Sequence, residues 1–108
     1  MLEISITKIA HVILMSRELE RAEGELRAFL ERLNEEEQTS LVALMWIGRG
    51  AFEPEELAEA IRTAAEEATT PTADYLLGTP HLSDHLENGL DALGLSAADE
   101  EDDLIRGG

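Results

Sequence analysis

Leu41-Val42-Ala43-Leu44-Met45-Trp46-Ile47 is an unbroken run of seven apolar residues, set between Asn34-Glu35-Glu36-Glu37 and Gly48-Arg49-Gly50. Asn34 is placed to cap a helix, and Glu37 three residues on completes a capping-box pattern. Glu35 and Glu36 sit at the positive end of the helix dipole. Gly48 tolerates the left-handed conformation of a C-cap. The reading is a helix over about 35–47 that is apolar all round and therefore buried all round. In a chain of 108 residues such a helix is either wrapped by the others or half of a dimer interface.

Upstream, Val12, Met15, Leu19, Ala22, Leu26, Phe29 and Leu33 step by three and four, which keeps one apolar stripe on one helical face. One long helix explains the stripe, carried through Gly24 at a cost of about 1 kcal/mol relative to Ala. A kink at Gly24 is the competing reading. Downstream, Pro54 opens a helix to Ala68 whose buried stripe, Leu57, Ala60, Ile61, Ala64, Ala65 and Ala68, is small enough for close approach. Thr70-Pro71 opens a short helix ended by Gly78. Thr79-Pro80 opens another that runs to about Leu93, with Thr as cap and Pro as first residue. Leu82, Leu86, Gly89, Leu90 and Leu93 share a face of this last helix, and Gly89 permits a close backbone crossing. No alternating strand pattern appears. The expected fold is all-α, a compact bundle of five or six helices forming a single domain over 1–95, followed by an acidic, solvated tail over 96–108.

The chain carries 24 acidic and 8 basic side chains, a formal charge of −16, while 44% of its residues are apolar. Duplex binding needs phosphates neutralised by Lys and Arg, so direct nucleic-acid binding is excluded and a basic protein partner is the complementary expectation. DNA mimicry by carboxylates is a narrower version of the same idea. Cys is absent, which removes disulfides, thiol catalysis and Cys-ligated zinc. No stretch reaches the roughly 18 apolar residues of a membrane span, and the N-terminus has no basic leader. A cytoplasmic location is the default expectation. The room available for burying both the central helix and the upstream stripe is limited, which favours a homodimer through parts of both.

Two stretches, Leu41 to Gly50 and Thr72-Ala73-Asp74-Tyr75-Leu76-Leu77-Gly78-Thr79-Pro80 continued by Leu86 to Gly94, resemble a bacterial family known only as a domain of unknown function. That family consists of small, acidic, helical proteins, and the likeness covers roughly residues 26 to 94. It implies an all-helical fold and brings no activity with it. Family members often carry a longer acidic linker ahead of the segment equivalent to Glu25–Leu33, and here it is nearly absent.

Chemistry-bearing residues are few. His81, Asp84 and His85 lie within one and a half helical turns, a spacing at which two imidazoles share a metal ion and Asp84 adds a third ligand. Leu82 and Leu86 put the core on the other side of that helix, so solvated polar residues are the plainer reading. Gly48-Arg49-Gly50 has the look of an anion-binding loop, but Glu53, Glu55 and Glu56 occupy the helix start where a phosphate would sit. Arg49 is then either paired with nearby carboxylates or carbonyls, or, framed by Trp46 and Phe52, the anchor for an acidic or aromatic group of a partner. Tyr75 is expected to pack with its hydroxyl at the surface, and His11 to be a hydrogen-bonded boundary residue. With no Cys nucleophile, no glycine-flanked Ser and no phosphate loop, no cofactor is expected and an enzyme is the less favoured class. The favoured one is a non-catalytic interaction or regulatory module using Arg49, Trp46, Phe52 and Tyr75. The rival is a metal-binding protein or metal-dependent enzyme using His81, Asp84 and His85.

Overall fold

The computed structural model describes residues 2–96, so the tail expected over 96–108 lies, but for Ser96, outside the described residues. The described residues form six α-helices and no strand: α1 (Ile6–Arg17), α2 (Leu19–Arg32), α3 (Glu35–Gly48), α4 (Leu57–Glu66), α5 (Thr72–Leu77) and α6 (Leu82–Ala92). A single 3-10 turn, Pro54–Glu56, leads into α4. None of these helices is long and apolar enough to cross a membrane.

α3 is the central helix, as its composition requires. Asn34 accepts from the Glu37 N–H and the Glu37 carboxylate accepts from the Asn34 N–H, so the capping box closes in both directions. Ser40 through Met45 and Ile47 are buried, and Trp46 is half-exposed. The cover comes from one chain: α6 packs most extensively on α3, and α4 lies along it with Ala60 and Ala64 in the seam. The crowding that argued for a homodimer is therefore relieved in part by helices of the same chain. α1 packs on α2 and α6, and α2 on α5.

The long helix expected through Gly24 is two helices, and the break falls at Glu18 instead. Glu18 has φ −113° and ψ 37°, outside the helical region. Just before it the Ser16 hydroxyl donates to the Ile13 carbonyl and the Glu18 N–H turns back to Met15, local bonds that compete with the helical ladder. Size decides the matter. An unbroken helix from Ile6 to Arg32 would be about 40 Å long, whereas the greatest extent of the molecule is 36 Å. Folding the stripe at Glu18 lets Val12 and Met15 on α1 and Leu26 and Leu30 on α2 enter the same core.

Gly48 is also used differently from the expectation. It is the last residue of α3, and the left-handed conformation falls two residues later, at Gly50, with φ +85°. The space that Gly48 leaves is taken by α6: a Cβ there would overlap the His85 carbonyl and press on the Gly89 nitrogen. Gly89 reciprocates, since its Cβ would overlap the Leu44 carbonyl. Two glycines thus let the α3 and α6 backbones touch.

The Thr-Pro starts are displaced as well. Pro71, not Thr70, is the N-cap residue of α5, and α6 begins at Leu82 after His81. Thr79 caps nothing, because its hydroxyl donates to the Tyr75 carbonyl and closes the end of α5. α4 stops at Glu66, short of Ala68, where the Glu67-Ala68-Thr69-Thr70 connection departs.

Ion pairs tie the helices across the surface: Lys8–Glu37 joins α1 to α3, Arg17–Glu87 joins α1 to α6, and Arg27–Asp74 joins α2 to α5. Exposed pairs of this kind contribute at most about 1 kcal/mol each, so they orient helices that apolar burial holds together.

Gly48→Ala is expected to lower stability by about 3 kcal/mol, because neither backbone can give way without parting α3 from α6. Gly24→Ala, on an exposed position of α2 with open space around it, is expected to gain roughly 0.5–1 kcal/mol. Urea unfolding of both variants checks the pair of signs.

The Lys8 ammonium and the Asn34 N–H hold the Glu37 carboxyl below its ordinary value of 4.5. A lowered folded pKa stabilises fully above the ordinary value and is lost as the pH falls through the folded one. The stability difference between the native chain and Glu37→Gln is expected to be constant above pH 4.5 and to shrink below it. Thermal melts across the acid range are the measurement.

Candidate functional site

Trp46 leaves the core near the end of α3 and meets Tyr75 of α5. Its indole N–H donates to the Tyr75 hydroxyl at 2.9 Å, so the packed, half-exposed Tyr75 also serves as an acceptor in a helix-to-helix contact. Phe52 stacks on the indole from the loop after α3, with ring centroids 5.7 Å apart and planes inclined by 21°. Tyr75 is thereby joined to two aromatics more than twenty residues upstream, and all three are half-exposed.

Beside the Trp46–Tyr75 contact lies a cleft of about 180 Å³. Its apolar lining is Val42, Trp46, Ala64, Ala68 and Tyr75, and its polar rim is Thr39, Thr69, Thr70, Thr72 and Glu67. A shallower depression shares Thr39 and the Ala68-Thr69-Thr70 segment and extends the groove to Glu35 and Gln38. Among the described residues no Lys or Arg lines either part.

Four residues were grouped from the sequence, and the structure divides them. Trp46 and Tyr75 form a wall of the cleft, Phe52 supports Trp46 from outside it, and Arg49 does not line it. Arg49 is exposed at the C-cap of α3, and its guanidinium forms neither the carboxylate nor the carbonyl pairing expected of it among the described residues. The lining supplied by the α4–α5 connection was missed. Its only sequence signal was the hydroxyl-rich run Thr69-Thr70-Pro71-Thr72, read there as a helix start alone.

His81, Asp84 and His85 do not assemble as their spacing suggested. His81 is not on the face of α6 but precedes it, with φ 59° in the left-handed region, which redirects its side chain away from the i, i+4 geometry. It stands 4.0 Å from Asp84 in a largely exposed pair. His85 is half-buried rather than solvated, and its Nδ1 is buried without a hydrogen-bond partner. Among the described residues no three or more His, Asp or Glu side chains are placed to hold a metal ion. His11 lies exposed with its ring 5.0 Å from Phe29.

A family model matches residues 23–95, more than half of the chain. The chain belongs to the DUF3775 family, proteins of unknown function. No curated protein and no solved structure matches it. The DUF3775 match takes in most of α2 and everything through α6, so both walls of the cleft and the Gly48–Gly89 crossing lie inside it. α1 lies outside the matched residues yet places Ile9, Ala10, Val12 and Ile13 in the core of this DUF3775 member.

Tyr75→Phe removes the acceptor of the indole N–H and is expected to cost about 1 kcal/mol. Trp46 is the single tryptophan, so a change in its fluorescence emission on the same substitution checks the contact directly.

Proposed function

We propose that this DUF3775 chain is a non-catalytic interaction module that binds a basic protein partner. The observation that carries the reading is the half-exposed Trp46–Tyr75–Phe52 cluster, set on a chain of formal charge −16. Aromatic anchors with a polar handle concentrate binding energy at protein interfaces. A large negative charge steers a cationic partner toward them and disfavours anionic ones. Arg49, three residues beyond Trp46 and without an intramolecular partner among the described residues, supplies a cation for an acidic or aromatic group of the bound protein. The partner in this reading is a different chain, since a second copy carries the same formal charge of −16. A cytoplasmic setting goes with the reading.

The test is affinity capture from cytosol at low and high salt, with each captured protein identified, purified and titrated in turn. The expected partner is basic, binds at least tenfold more weakly at high salt (an order-of-magnitude expectation for opposed charged surfaces), and weakens again with Arg49→Glu. Capture of no partner, or only of partners indifferent to salt, overturns the proposal.

A further inference from the structure

The groove between α3 and the α4–α5 connection has a size, a lining and a charge that together narrow its occupant. The cleft beside Trp46 and Tyr75 is about 180 Å³, below the roughly 300–1,000 Å³ usual for pockets that engulf a whole small molecule. That volume suits one large side chain inserted from a partner. The floor that such a side chain would touch is apolar, made by Val42, Ala64 and Ala68, with Trp46 and Tyr75 as an aromatic wall. The hydrogen bond between that aromatic pair fixes the wall from two helices at once, so little ordering remains to be done on binding.

The rim is of another kind. Thr69, Thr70 and Thr72 offer hydroxyls along the groove, while the Thr39 hydroxyl already donates to the Glu36 carbonyl and the Gln38 amide to the Leu30 carbonyl. Hydroxyls that both donate and accept suit the backbone of an extended segment, which presents N–H and C=O groups in alternation. Among the described residues the charged groups of the groove are carboxylates, Glu67 at the cleft and Glu35 at the shallow part. Arg27 of α2 is committed to Asp74 of α5.

Resting on the reading of the chain as an interaction module, we infer that this groove binds an extended segment of a partner protein, with one leucine-sized apolar side chain in the Trp46–Tyr75 cleft and flanking Lys or Arg residues against Glu67 and Glu35. Charge complementarity selects this occupant over the chain's own acidic run Asp99–Asp103, which the same carboxylates repel. The apolar insertion supplies affinity, and the two carboxylates set which neighbours the inserted residue can have.

The experiment is a fluorescence titration of the full chain, reporting through Trp46, with an array of short peptides that carry Leu, Met or Phe between Lys or Arg residues. Matched peptides replace the central residue by Ala or the basic ones by Glu. The basic peptides with a large apolar centre are expected to bind, the Ala-centred ones about tenfold more weakly, and the Glu-flanked ones not at all. Two variants locate the site. Ala68→Phe fills the cleft from an exposed position, and Glu67→Lys reverses the rim charge at the C-terminal end of α4, where a cation favours the helix. Both are expected to fold and to weaken peptide binding about tenfold or more, whereas Arg62→Glu, on the exposed face of α4 and outside the groove, is expected to leave it unchanged. Peptide binding that ignores Ala68→Phe and Glu67→Lys, or that shows no preference for an apolar centre, overturns the site. Failure of every peptide overturns it too, and the interaction reading then stands or falls separately on the cytosolic capture.

Discussion

The contact between the α3 and α6 backbones at Gly48 and Gly89 is the constraint from which the rest of the arrangement follows. Each glycine meets the opposite helix where any side chain would collide: Gly48 with the His85 carbonyl and Gly89 with that of Leu44. With the two helices that close, Leu44, Leu86 and Leu90 are removed from solvent completely or nearly so. The burial of a large aliphatic side chain contributes about 1.5–3 kcal/mol, so a seam of this kind stabilises more than all the surface ion pairs combined. α3 is then pinned along one face.

The opposite face of α3 is where the groove forms. Thr39, Val42 and Trp46 are spaced by three and four, which places them together on a helix, turned away from Leu44 and Gly48 by roughly half a revolution at about 100° per residue. α4 approaches that side through Ala60 and Ala64, side chains too small to fill it to the surface. α5 is too short to cover what remains, and Tyr75 reaches across to Trp46 instead. A wall of aromatics over a floor of small residues is thus a by-product of a helix covered tightly on one side and loosely on the other.

The acidic surplus is distributed so that it costs the fold little. Glu35, Glu36 and Glu37 stand in the first turn of α3, and Glu55 and Glu56 in the turn before α4, where the helix dipole favours negative charge. Glu37 and Glu53 also take part in capping boxes. Lys8, Arg17 and Arg27 are each matched to a carboxylate on another helix, and among the described residues no Lys or Arg lines the groove. The charge thereby serves helix starts and helix register within the fold.

Local sequence determined the features that local physics controls. The capping box at Asn34–Glu37, the burial of Leu41–Met45, the all-helical class and the apolar face of α6 follow from spacing, caps and dipoles within a few residues. The likeness of Leu41–Gly50 and Thr72–Pro80 to a family of unknown function was legible for the same reason, being carried by contiguous motifs. Tertiary structure decided the rest. Periodicity cannot show that a stripe must fold at Glu18, because the stripe continues in phase and only the size of the core limits the helix. It cannot tell a C-cap glycine from one that a crossing helix requires, because the colliding atoms belong to His85 and Gly89, about forty residues away. The ligand spacing of His81 and His85 failed because a single left-handed residue takes His81 off the helix, which no count of residues reveals. The groove was illegible for the most general reason: Val42, Ala64, Thr70 and Tyr75 are ordinary residues in sequence and become a site only when three helices and a connection bring them to one place.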